Sequence, residues 1–165
     1  MTPYVMLSVL CAAVPSRNLT GIYTYAGHEV VEVQNAVESS TAGLSLGVRM
    51  QARRRLTVEK LIPKRVEIQL TGDRGTIQMG DLHPPSAPLD GTPVQWTTPE
   101  NRTAQVSIRW EGDTLVHTIQ GKRGKRICTA SLVNGGRTLL ITVEVIGAYL
   151  SKPLRYRLTY EPSSQ

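Results

Sequence analysis

The sequence predicts a mainly β fold: an antiparallel up-and-down barrel of about nine strands with a helix pair inserted after the first strand. Three observations carry this. Between Lys64 and Glu161, short runs of two-residue hydrophobic alternation follow one another, separated by turns containing Gly, Asn and Asp. Helical spacing occurs only in the stretch between Gly27 and Pro63. Most connections between successive strands are tight turns, and sequential hairpins build a meander that removes its exposed edges by closing on itself.

The first strand spans 19–25, with Leu19, Gly21, Tyr23 and Tyr25 on one face and Thr20, Ile22 and Thr24 on the other. Ala26 and Gly27 break it. A helix is expected from about His28 to Thr41, with Val30, Val33 and Val37 as its apolar stripe and Glu29, Glu32 and Glu38 on its polar side. Gly43 ends it, and a second helix is expected to place Leu44, Val48, Ala52 and Leu56 on one face, with Arg49, Arg53, Arg54 and Arg55 suited to the negative end of its dipole.

Beyond Pro63 the two-residue period returns. Val66, Ile68 and Leu70 share a face, 71–75 turns the chain, and Ile77 and Met79 follow. A Pro-rich connection over 83–88 interrupts the meander. Val94 and Trp96 come next, then Val106, Ile108 and Trp110, then Leu115, His117 and Ile119. A basic turn at 122–125 leads to Cys128, Ala130 and Leu132. Asn134, Gly135 and Gly136 form the strongest hairpin signal. The last two strands carry Leu139, Ile141, Val143 and Val145, then Leu154, Tyr156, Leu158 and Tyr160, with Pro153 at a strand start, where proline is tolerated.

At 165 residues, with 40% hydrophobic and 19% charged residues, the chain has the length and composition of one globular domain. Phe is absent and aromatics make up 5%, so a barrel interior must be lined mainly by Val, Ile, Leu and Met. The net charge of +6 favours anionic surfaces or ligands through long-range attraction. The segment 4–14 is apolar apart from Ser8 and too short to span a bilayer. With small residues Ala13 and Ser16 beyond it, residues 1–16 read as a secretory signal peptide, although the usual charged start is missing apart from the terminal amine. The expected domains are this leader and a single barrel over 17–165, in a secreted or periplasmic protein. Of two cysteines, Cys11 leaves with the leader, and Cys128 remains as a small buried hydrophobe. Asn18 and Asn101 head glycosylation acceptor triplets, which matter if the chain is exported from a eukaryotic cell.

The order of strand, helix pair and antiparallel strands resembles that of fatty-acid-binding proteins. Gly21, Ile22 and Tyr23 are similar to the Gly-x-Trp signature that opens lipocalins, with Tyr in place of Trp. Over residues 18–161 the chain thus resembles the calycin superfamily. The resemblance implies a lipocalin-like barrel and a structural pair at its closed end, Tyr23 with Arg157 of the last strand. It also points to Arg155, Tyr156 and Arg157 as the strand on which fatty-acid carriers keep a carboxylate-gripping Arg and Tyr. No second lipocalin signature occurs. The glycine-rich opening motif of nitrobindin-like haem pockets is absent, and no cofactor is expected.

The function expected of such a barrel is binding or carriage of a small hydrophobic or amphipathic molecule. Strand parity makes Ile68, Met79, Trp96, Ile108, Trp110, His117 and Tyr156 the ligand-binding candidates. The histidines His28, His83 and His117 show no metal-ligand spacing, and no metal site is expected. His117 lies between apolar Leu115 and Ile119 on one strand face. It is the one candidate for acid-base chemistry in a cavity enzyme of isomerase or cyclase type, and a polar hook or a hydrogen-bonded core histidine otherwise. No Gly-x-Ser-x-Gly element occurs, and Glu67 and Glu144 face outward, so hydrolase readings have no support. Basic clusters at 49–55 and 122–126 lack neighbouring aromatic platforms, which disfavours nucleic acid. Arg49, Arg53, Arg54 and Arg55 on a helical lid would instead meet a membrane surface. A filled barrel acting as an envelope interaction module is the third reading.

Overall fold

A computed structural model of the protein describes residues 18–163; the expected leader, with Cys11, lies outside them. The elements run β1 (Gly21–Tyr25), α1 (Val30–Thr41), α2 (Leu46–Arg55), α3 (Val58–Leu61), β2 (Arg65–Thr71), β3 (Arg74–Met79), β4 (Ala87–Pro88), β5 (Val94–Thr97), β6 (Thr103–Glu111), β7 (Thr114–Gly121), β8 (Gly124–Val133), β9 (Thr138–Gly147) and β10 (Leu154–Pro162). All ten strands form one antiparallel sheet in the order β4-β3-β2-β1-β10-β9-β8-β7-β6-β5. Near the seam, the chain leaving β4 turns to the opposite edge. Asp90 bridges to Arg109, and Gly91 N–H donates to Ile108 O at 2.9 Å. One segment therefore pairs first with β3 and then with β6, and the sheet becomes a nearly closed barrel.

The strand period fixes what faces inward. Val66 and Ile68 in β2, Val106 and Ile108 in β6, and Leu154, Tyr156, Leu158 and Tyr160 in β10 are all buried, while the residues between them face out. Asn134, Gly135 and Gly136 adopt φ of 53°, 68° and 85°, left-handed backbone that these residue types accept, and so fold β8 back onto β9. Gly124, the first residue of β8, is required by space: a Cβ there would lie 2.2 Å from Ile146 O.

Several elements differ from expectation. The tenth strand, β4, lies within the stretch expected to be a Pro-rich connection; at two residues it needs few ladder bonds, which is why Pro88 can sit in it. The second helix begins at Leu46, and only part of its expected face is inside: Ala52 and Leu56 are buried, while Val48 is exposed. One further helical turn, α3, precedes Pro63.

The helices are tied to the barrel by apolar and polar contacts. Val33 and Val37 of α1 belong to the same core as the inward strand residues. Tyr156 O–H donates to Leu61 O at 3.1 Å, and Tyr160 O–H to Pro63 O at 2.9 Å, while the Tyr25 ring meets Tyr160 edge-on with centroids 5.7 Å apart. Glu29 accepts from Tyr25 O–H at 2.8 Å and from Thr159 Oγ1. Burial alone would raise the Glu29 carboxyl, but these two hydrogen bonds outweigh it and hold the group below the usual carboxylate range. Tyr156→Phe and Tyr160→Phe should each cost about 1–2 kcal/mol in urea unfolding, because each leaves a buried carbonyl without its donor. An unchanged midpoint in both would show that these two hydrogen bonds do not hold the lid.

Candidate ligand-binding site

The site is built from β3, β7, β8 and the 80–86 loop. Ile77, Met79, Leu82, Pro84, His117, Ile119, Arg126 and Cys128 border about 240 Å³ of non-atom space, open solvent included. Met79 closes back on Leu82 through an isolated bridge, so this loop covers the pocket from outside. Most of the space lies between side chains. Only about 10 Å³ can take the centre of a water-sized sphere, which is room for about one water. This pocket is therefore largely filled by its own side chains.

Arg126 gives the pocket its chemistry. It follows the inward phase of Cys128 and Ala130 on β8, two residues earlier, and its register partner on β7 is Ile119. As a whole residue it is partly exposed, yet its Nε is shut off from solvent with no hydrogen-bond partner. Its Nη2 lies 3.4 Å from Met79 Sδ, a weak acceptor. The five salt bridges among the described residues engage Arg53, Arg65, Arg102, Arg109 and Arg155, leaving Arg126 without a carboxylate. A guanidinium does not deprotonate in proteins, so the pocket holds a positive charge met by the sulfurs of Met79 and Cys128 and by no carboxylate.

His117 sits beside it. The residue is 2% exposed, pairs in register with Cys128, and neither ring nitrogen has a hydrogen-bond partner. Burial, and then the charge of Arg126, push its pKa down to about 3, so the imidazole is neutral at pH 7. Burial also raises Tyr156 to about 12, although Arg126 pulls the other way, and raises Tyr160. Both phenols stay protonated and donate to the lid carbonyls.

Of the residues expected from sequence to bind a ligand, Met79 and His117 border the pocket. Ile68, Ile108 and Tyr156 are buried in the surrounding core, and Trp96 and Trp110 pack against it from partly exposed positions. Tyr23 is buried, its O–H donating to Leu19 O at 2.9 Å, whereas Arg157 is exposed on the outer face. The structure does not bring these two together, because Arg157 is one step out of phase with the inward residues of β10. Arg155 also faces out, paired with Glu144 at 2.7 Å. The inward arginine is on β8 instead, in a run that reads in sequence as a basic turn. In the other basic run, Arg49 donates to Ala42 O and Leu44 O, Arg53 pairs with Glu38, and Arg54 and Arg55 are exposed. Among the described residues no group of His, Cys, Asp and Glu could hold a metal ion.

Solved structures decide the fold. Apo lipid binding protein 8 (LBP-8) of Caenorhabditis elegans superposes with a TM-score of 0.54 over 92% of this chain and all of its own, at 16% identity. The chain shares the β-barrel fold of that structure. The REP1-NXSQ fatty acid transporter is similar over 89% of this chain and 97% of its own, with a TM-score of 0.54 at 14% identity. Human cRBP IV is similar over 88% and 98%, with a TM-score of 0.50 at 18% identity. No protein-family model and no curated protein sequence matches the chain.

Proposed function

We propose that the protein is an exported carrier that binds a small amphipathic molecule inside the barrel, its anionic head on Arg126 and its apolar part among Ile77, Met79 and Ile119. The observation that carries this is the buried guanidinium without a carboxylate. Such a charge is expensive to bury, and an anionic guest supplies the missing partner. Similarity to a lipid binding protein and a fatty acid transporter supports the same reading. With about 10 Å³ open to a water-sized sphere, the pocket as it stands is far smaller than the roughly 300–1,000 Å³ usual for ligand sites. A guest must therefore displace the flexible side chains of Met79 and Leu82. Helix α2 exposes Leu46 and Met50 at four-residue steps from Arg54, and α1 exposes Val31, which suits contact with an anionic membrane from which the guest is taken. The apolar leader supports export, and Edman sequencing of secreted protein should give a new N-terminus near Arg17; retention of Met1 would remove that part of the reading.

The test is titration with fatty acids, fatty alcohols and a fluorescent apolar probe, reading Trp96 and Trp110 emission and the melting temperature. Acids should quench emission and raise the melting temperature more than the matched alcohols, and anionic vesicles should take up bound probe faster than neutral ones. The small free space of this pocket favours a second reading, a filled barrel serving as an interaction module. It would be selected if every compound left both signals unchanged. An acid-base enzyme is served poorly by His117, since a base with a pKa of about 3 has little driving force near pH 7.

A further inference from the structure

The polar end of the pocket is rich in donors and poor in acceptors. Arg126 offers guanidinium N–H groups, and the Cys128 sulfur, a weak acceptor, already meets that guanidinium. The O–H groups of Tyr156 and Tyr160 already point at Leu61 O and Pro63 O. His117 differs from all of these. A neutral imidazole carries one N–H and one bare nitrogen, and in His117 both are buried, unpartnered and part of a ring that borders the same pocket as Arg126. A plain carboxylate could accept from the N–H but has nothing to give the bare nitrogen. A hydroxyl serves either one, whichever faces the head group, and a methylene serves neither.

We propose that the guest is a hydroxy acid, an apolar chain whose carboxylate rests on Arg126 and whose hydroxyl, on a carbon next to or one beyond the carboxylate-bearing end, hydrogen-bonds His117. This rests on the carrier reading. His117 pairs with Cys128 and Arg126 with Ile119, which makes His117 and Arg126 diagonal neighbours on one face of β7 and β8. Diagonal pairs hold their Cβ atoms about 7 Å apart, a span that two functions at one end of a chain can bridge and a mid-chain or terminal hydroxyl cannot. His117 acts here as the residue that sets specificity: burying a hydrogen-bonding site against a methylene leaves it unpaired, and sites built for a hydroxyl reject the analogue that lacks one.

The experiment compares decanoic, alpha-hydroxydecanoic, beta-hydroxydecanoic and omega-hydroxydecanoic acids by calorimetry on the folded protein. At least one of the alpha and beta forms should bind about tenfold to a hundredfold more tightly than decanoic acid, and the omega form should gain nothing. His117→Phe should bring the hydroxylated and plain acids to within about twofold of each other, whereas His117→Gln, which keeps a donor and an acceptor, should retain part of the preference. If the Phe variant does not fold, the alpha, beta and omega comparison on the unaltered protein decides. Equal affinity for all four acids, lost on Arg126→Met, would overturn the hydroxy-acid assignment and leave the carrier standing. Failure of all four to bind would remove the carrier and this assignment together.

Discussion

Arg126→Met should make the empty protein more stable while destroying its hold on anionic guests. The guanidinium is desolvated, its Nε has no partner, and the sulfur of Met79 is a poor substitute for a carboxylate. Methionine has a similar reach and adapts to irregular space beside Met79, Ile119 and Cys128. Replacing buried ionic groups with well-packed apolar ones gains about 1–4 kcal/mol in other proteins, and an arginine with no counter-ion should lie within that range. Binding should move the other way: a carboxylate brought into the same pocket would have no cation, and its affinity should fall about a hundredfold or more. Urea unfolding of the unliganded variant and calorimetry with decanoic acid measure the two effects separately. Loss of stability with unchanged affinity would make Arg126 a structural residue and sink the anion site.

The strands were legible because one face of each is buried and the period of two admits a single phase. The run of Cys128, Ala130 and Leu132 set the inward phase of β8, and a step of two residues back along it lands on Arg126. What hid the residue was its neighbours. Lys122 and Arg123 form an exposed turn and Lys125 takes the opposite phase of β8, and a run of charges reads as one unit until the strand register is known. Strand β4 was invisible for the opposite reason, since two residues carry no period and proline argues against pairing. Val48 continued a four-residue spacing on α2, but that helix packs on α1 and buries only Ala52, with Leu56 just beyond its end, so Val48 meets solvent. The capacity of the interior could not be read at all. Parity says which side chains point inward, while how completely they fill the space depends on the tilt and stagger that close the sheet.

His117 should make the protein acid-labile at a pH where its carboxylates are still ionised. In the unfolded chain the imidazole has its ordinary pKa near 6.5, and in the fold burial and Arg126 hold it at about 3. Above pH 6.5 both states are neutral and stability is flat with respect to this group. Between the two values the unfolded chain binds a proton that the folded one refuses, so stability falls by about 1.4 kcal/mol per pH unit as the solution is acidified, and by about 5 kcal/mol over the whole interval. That is a large part of the roughly 5–15 kcal/mol that holds a domain folded. Glu29 adds its own acid sensitivity, but a lowered carboxyl loses its contribution only below pH 4.5, leaving the range from 6.5 to 4.5 diagnostic for the histidine. Urea midpoints across that range should slope in the native protein and be flat in His117→Gln. Arg126→Met should keep the onset near 6.5 and end the slope at a higher pH, because the repelling charge is gone while the burial remains. A native slope that survives in His117→Gln would place the titrating group elsewhere and take away the evidence that the imidazole is neutral at pH 7, the state in which it can accept a hydroxyl.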